Sequence, residues 1–165
     1  MSTTNGPRHP QMLQSSTLAW SDALLLGYPP MDDTHKEFVE VVSALAAASD
    51  EQLLDCLERV EEHLLEHFGD ENRWMEETDF PARDCHIDEH AAVIRTLYDV
   101  KVLLEKGNTA VVRRFSKELM DWFPGHADYL DSALSHWMSK TRLGGKPVVL
   151  RRHLSFANST IPASN

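Results

Sequence analysis

One segment constrains the fold more than any other: from His67 to His90 the chain reads HFGDENRWMEETDFPARDCHIDEH. His67 and Glu71 stand four apart at the end of one helical pattern, and His86 and His90 stand four apart at the start of the next. On an α-helix, residues i and i+4 lie one above the other on the same face, about 6 Å apart along the axis. Each pair can therefore grip one cation, or one edge of a cluster. The Phe80-Pro81 turn between the pairs folds the two helices into a hairpin with all four side chains inside. The segment predicts the centre of a helical bundle built around two metal ions.

The flanking sequence keeps the same period. Ser49, with Gln52 three residues on, has the form of a capping box and marks a helix start. The stripe that follows runs through Leu53, Leu57, Val60, Leu64, His67, Glu71 and Trp74 in alternating steps of four and three. That places the His and the Glu on the buried seam, where a carboxylate is costly unless it is paired or metal-bound. Upstream, Gly27, Pro29 and Pro30 predict an extended loop anchored by Trp20 and its neighbouring leucines. The first helix is expected to start near Asp32 or Asp33 as N-cap, with His35, Phe38, Val42 and Leu45 facing inward. A third helix is predicted from about Asp84 to Lys106, with Gly107 just past its end and a seam of His86, His90, Val93, Leu97, Val100 and Leu104.

The fourth helix, from about Asn108 to Ser139, is expected to bury Val112, Phe115, Leu119, Trp122, His126, Leu130, Ala133 and Trp137. Asp131 does not fit this stripe. It lies five residues from His126, hence about 140° round an ideal helix at ~100° per residue. Pro124 has no N–H and clashes with the preceding turn, so a kink or a π-bulge, in which five-residue steps align, is predicted there.

These patterns describe an all-α protein, an up-down-up-down four-helix bundle with an N-terminal loop and a C-terminal tail. The expected organisation is a flexible segment over 1–18, a bundle domain over 19–140 and a basic tail over 141–165. The tail holds four of the 16 Lys and Arg and none of the 26 Asp and Glu. The net charge of -10 argues against nucleic acid as a partner, since phosphate backbones are held by clustered Lys and Arg. No apolar run approaches the ~20 residues that span a bilayer, and residues 1–18 contain no signal-peptide core. Cys56 and Cys85 form no CxxC pair. Free thiols in a reducing cytoplasm are the expected state.

Seven polar residues, His35, His67, Glu71, His86, His90, His126 and Asp131, thus fall at or beside inward positions. His63, one turn before His67 and about 40° off the seam, is a candidate supporting group. His9, His136 and His153 lie off the seams or in the termini. Imidazole and carboxylate without thiolate suit iron, zinc or manganese rather than an iron–sulfur cluster. If both carboxylates and one oxide or hydroxide bridge two octahedral ions, a single coordination position stays open for a small ligand.

The motifs W20…G27…D32xxH35, H67F68xxE71xxxM75, F80P81xxxxH86xxxH90 and W122xxxH126xxxxD131 resemble the hemerythrin family, and closely its single-domain bacterial members, over about residues 20–139. The resemblance implies two iron ions (Fe2+/Fe3+) with a bridging oxide or hydroxide. His86, His90 and His126 would hold one iron, His35 and His67 the other, and Glu71 and Asp131 would bridge. Dioxygen would bind reversibly at the open position, in a pocket of Phe38, Trp122 and Ala127, for storage, delivery or scavenging. The alternative is an oxygen- or redox-sensing module acting through the C-terminal tail; no protein partner is readable. An oxygen binder is expected rather than an enzyme, because every seam carboxylate is consumed by metal and no general acid remains for peroxide or nitric oxide chemistry. Three positions depart from the family pattern. Asn72 replaces a second Glu common in relatives, off the seam and without expected consequence. Phe38 stands for a frequent Leu, and Ala127 replaces a larger aliphatic residue, leaving room in the pocket wall.

Overall fold

The structure, a computed structural model, describes residues 18–145. Its helices are α1 (Pro29–Ala47), α2 (Leu53–Glu77), α3 (Arg83–Glu105), α4 (Thr109–His126) and α5 (Ser132–Leu143), with a π turn, Ala127–Asp131, between the last two. No strand occurs among the described residues. α4, the π turn and α5 follow one another without a break and act as the fourth bundle helix. α1 and α3 each pack on both α2 and α4. Short links between consecutive helices make them antiparallel neighbours, so the topology is up-down-up-down, as the sequence predicts. The expected 1–18 segment, apart from Leu18, and most of the expected tail lie outside the described residues.

The helix starts are set by local chemistry, in one case differently from expectation. α1 begins at Pro29, before Asp32. Proline is tolerated in a first turn, where its missing N–H has no intrahelical partner to lose. Asp32 is therefore inside the helix, and its buried carboxylate accepts from the Leu26 and Gly27 N–H groups at 2.7 and 3.0 Å. It ties down the incoming loop instead of capping. Gly27, at φ 80, supplies the left-handed conformation which that loop needs. The Ser49 N–H donates to Gln52 Oε1 at 3.1 Å as a capping box requires, ahead of α2. Gly107 ends α3 at φ 83, and the Asn108 side chain accepts from the Val111 N–H to open α4.

The inward stripe of the fourth helix holds as far as Leu119 and then departs from the predicted one. Phe123 is fully buried where Trp122 was expected, and Leu134 and Met138 fill the core in place of Ala133 and Trp137. Past the π turn the cause is the turn itself. A π turn carries one more residue than an α turn, so every later inward position moves on by one. The last helix also continues to Leu143, beyond the expected end at Ser139, and stops at Gly144 in the left-handed region.

Two apolar clusters fill the bundle. The larger contains Phe38, Val42, Leu45, Leu57, Leu64 and Phe123 among others; the smaller contains Met31, Trp74, Met75, Phe80, Leu134 and Met138. Buried polar positions lie where the two meet: His35 on α1, His67 and Glu71 on α2, His126 and Asp131 on the fourth helix, and on α3 His86 and His90, ahead of Leu97 and Val100 of the larger cluster.

Candidate metal centre

All seven predicted residues are brought together in that polar layer, each at most 3% exposed. α1 supplies His35, α2 supplies His67 and Glu71, α3 supplies His86 and His90, and His126 stands just before the π turn that Asp131 ends. The five-residue turn aligns these last two, with His126 Nε2 3.2 Å from Asp131 Oδ1. They form two overlapping groups, His35, His67 and Glu71 on one side, and Glu71, His86, His90, His126 and Asp131 on the other, with donor atoms within 4.8 Å of one another in each.

The carboxylates straddle the two groups atom by atom. Glu71 Oε1 lies 3.2 Å from His67 Nε2 and 3.9 Å from His35 Nε2, while Oε2 lies 3.4 Å from His90 Nε2 and 3.7 Å from His86 Nε2. Asp131 Oδ2 lies 3.2 Å from His35 Nε2, and Oδ1 lies 3.1 Å from His86 Nε2. Every histidine presents Nε2 to the layer. Both Asp131 oxygens, Glu71 Oε2 and His35 Nε2 are buried without an aligned hydrogen bond despite these close neighbours. Buried polar atoms without partners are costly. Lone pairs that converge on shared points rather than on each other suit cations between them, so the donor set fits a pair of metal ions.

The electrostatics agree. Burial alone would raise the Glu71 carboxyl and Asp131 adds to that, yet His67 and His35 hold it well below the usual carboxylate range. Burial also opposes ionisation of Asp131, but His126, His35 and His86 hold it low. Burial would lower His35, but Asp131 and Glu71 carry it up to about 9. His126 is raised against burial in the same way, chiefly by Asp131, whereas burial takes His90 down to about 4. The two ionised carboxylates are thus met by protonated histidine, His35 above all, which occupies the electrostatic role of a cation.

Two supporting residues escaped the sequence reading. Asn72 is not idle, because its side-chain carbonyl accepts from His90 Nδ1 at 2.9 Å, which leaves the Nε2 lone pair facing the layer. Glu89 accepts from the Trp122 indole N–H at 3.1 Å through Oε1, and its Oε2 stands 3.4 Å from His126 Nδ1. Both lie next to a candidate ligand in the chain, Asn72 after Glu71 and Glu89 before His90, and that adjacency was the available signal. Among the expected pocket residues, Phe38 stacks on Phe123 with centroids 4.2 Å apart and meets the His67 ring at 6.4 Å. Trp122 lies 4.3 Å from the His126 ring and 6.5 Å from Phe38. Ala127 is buried in the same apolar cluster. Phe123, edge-on to His35 at 5.1 Å, completes the wall and was missed because the stripe through Trp122 was followed instead.

The family model for the hemerythrin HHE cation binding domain matches residues 26–135. The chain is 35% identical over 123 residues to a bacteriohemerythrin of Ralstonia nicotianae, covering 74% of this chain and 90% of that relative. It is 27% identical over 132 residues to bacteriohemerythrins of Pseudomonas paraeruginosa and Pseudomonas aeruginosa, covering 74% of this chain and 85% of each relative. No solved structure matches it. With that match running from the loop before α1 into α5 and taking in the whole polar layer, the chain belongs to the hemerythrin family.

Proposed function

We infer that the layer holds two iron ions joined by an oxide or hydroxide and that the protein binds dioxygen reversibly, for storage, delivery or scavenging. The observation that carries this reading is the division of each carboxylate between the two histidine groups, one oxygen to each side. Glu71 and Asp131 would be shared by the pair, His86, His90 and His126 would hold one ion, and His35 and His67 would hold the other. A ferrous pair, when bound, supplies the two electrons that reversible capture of dioxygen requires.

The chain's own residues do the rest. Ionised Glu71 and Asp131 offset the cations' charge, and neutral Nε2 atoms complete their surroundings. Asn72 fixes the His90 ring from behind by its hydrogen bond, and the Glu89 carboxylate lies behind the His126 ring. Phe38, Phe123 and Ala127 exclude water and protons from the two-histidine side, where the open position falls, and Trp122 closes the same wall against His126. With Glu71 and Asp131 committed to metal, the one other buried carboxylate among the described residues, Asp32, is taken up by the Leu26 and Gly27 N–H groups, so no carboxyl is left to act as a general acid, which favours binding over O–O cleavage. The test is anaerobic reduction followed by oxygen, recording the iron–oxygen charge-transfer bands. Bands that come and go with oxygen support the reading. Immediate irreversible oxidation, with iron fully loaded, would sink it.

A further inference from the structure

The two apolar clusters cover the polar layer at both ends, so an ion must reach it from the side. Between α1 and α2 a cavity of about 180 Å3 is lined by Glu37, Val41, Arg59, Glu62, His63 and Glu66. Three carboxylates against one guanidinium make it a cation-attracting mouth. Its inner wall is His63, whose side chain is only 8% exposed and makes no hydrogen bond. His63 Nδ1 stands 3.8 Å from Glu37 Oε2, and Nε2 is buried without a partner. The ring meets that of His67 nearly edge-on at 5.4 Å. On α2, His63, His67 and Glu71 follow at i, i+4 and i+8, so they form one ladder from the cavity to the shared carboxylate.

We propose that this cavity is the port by which a divalent cation, ferrous iron in the working protein, reaches the centre: Glu37, Glu62 and Glu66 capture the ion, His63 takes it inward, and His67 and Glu71 receive it. The proposal rests on the reading of the polar layer as a metal centre. A port must release what it captures. Among the described residues, three donors converge within bonding range only in the two groups at the centre, so the cavity offers an ion fewer simultaneous bonds than its destination does. A second groove, between α3 and α4, also carries carboxylates, Glu89 and Glu118, but Val93, Phe115, Leu119 and Trp122 make the rest of its wall and no imidazole lines it, so it has no ladder of ligands leading inward.

The test is the rate at which metal-free protein takes up Co2+ anaerobically, followed by stopped-flow through the visible ligand-field absorption. E62Q/E66Q and, separately, His63→Leu are compared with E76Q/E105Q, which removes the same charge as the first variant from exposed positions outside both grooves; thermal melts verify that each folds. Uptake slowed about threefold or more in the first two, with two ions per chain at the end and the control unchanged, supports the port. Equal rates in all variants overturn it, as does equal slowing in the control, which would reveal attraction by net charge alone. A third ion per chain, lost in E62Q/E66Q, overturns it in favour of a resting site. Failure of the unaltered protein to take up cobalt would instead remove the metal-centre reading beneath it.

Discussion

Glu71 and Asp131 are fully buried and ionised, and their only compensation in the metal-free chain is protonated histidine. Metal bound as proposed would replace those protons, which fixes what single substitutions should do. Glu71→Gln keeps shape and volume but removes a negative charge shared by both groups, so metal content should fall from two ions to one or fewer per chain by elemental analysis. His136→Ala, on the exposed side of α5, should leave two; equal loss in both would break the ligand assignment. Imidazole must be neutral to bind metal, and His35, held at about 9, is protonated at neutral pH. Loading the metal-free protein near pH 7.5 should therefore release protons, readable by calorimetry in buffers of different ionisation enthalpy. A loading heat independent of the buffer would show that His35 is already neutral.

The π turn is the element on which the fourth helix depends. It adds one residue between His126 and Asp131, and Tyr129 within it is 81% exposed. Deleting Tyr129 should turn the π turn into an ordinary α turn with His126 and Asp131 four apart, still on one face. Leu134 and Met138 would keep their inward register. The deletion should thus retain both metal ions, whereas an alanine inserted after Tyr129 would rotate Asp131 about 100° away and cost most of the metal. Metal analysis with far-ultraviolet circular dichroism to verify folding decides this, and loss of metal on deletion would mean that the wide turn itself, not the register, places Asp131.

For the whole molecule, a metal pair held in the polar layer between two apolar clusters would couple metal binding to folding. A ligand bound only by the folded state, present at about a thousand times its dissociation constant, adds about 4 kcal/mol, which for a domain of this size is about 10 °C in melting temperature. Chelation should lower the melting temperature by that order, and an unchanged melt would uncouple the layer from the fold. The pH profile of the metal-free protein should be domed. His35, raised from 6.5 to about 9, stabilises the fold fully below pH 6.5, and that contribution disappears as pH rises through 9. His63 and His90, lowered to about 4, act oppositely and remove stability as pH falls from 6.5 through 4. Loading with metal should flatten the alkaline arm, because a metal-bound imidazole has no proton to lose.

The sequence by itself determined the four helices, their order and the seven residues of the layer, because a 3.6-residue period with His and Glu on the apolar seam of α2 has few other readings. Pro124 and the five-residue gap even announced the break near Asp131. What only the tertiary structure decided depends on contacts across helices. The first helix begins at Pro29 because Asp32 was needed by the loop it restrains, a use that its position in the chain does not reveal. Phe123 displaces Trp122 from the core, and past the π turn Leu134 and Met138 displace Ala133 and Trp137, because the extra residue rotates everything after it. Asn72 and Glu89 acquire their partners 18 and 33 residues away. Periodicity reports which face of a helix is buried, but not which neighbour a polar side chain at the edge of that face will meet.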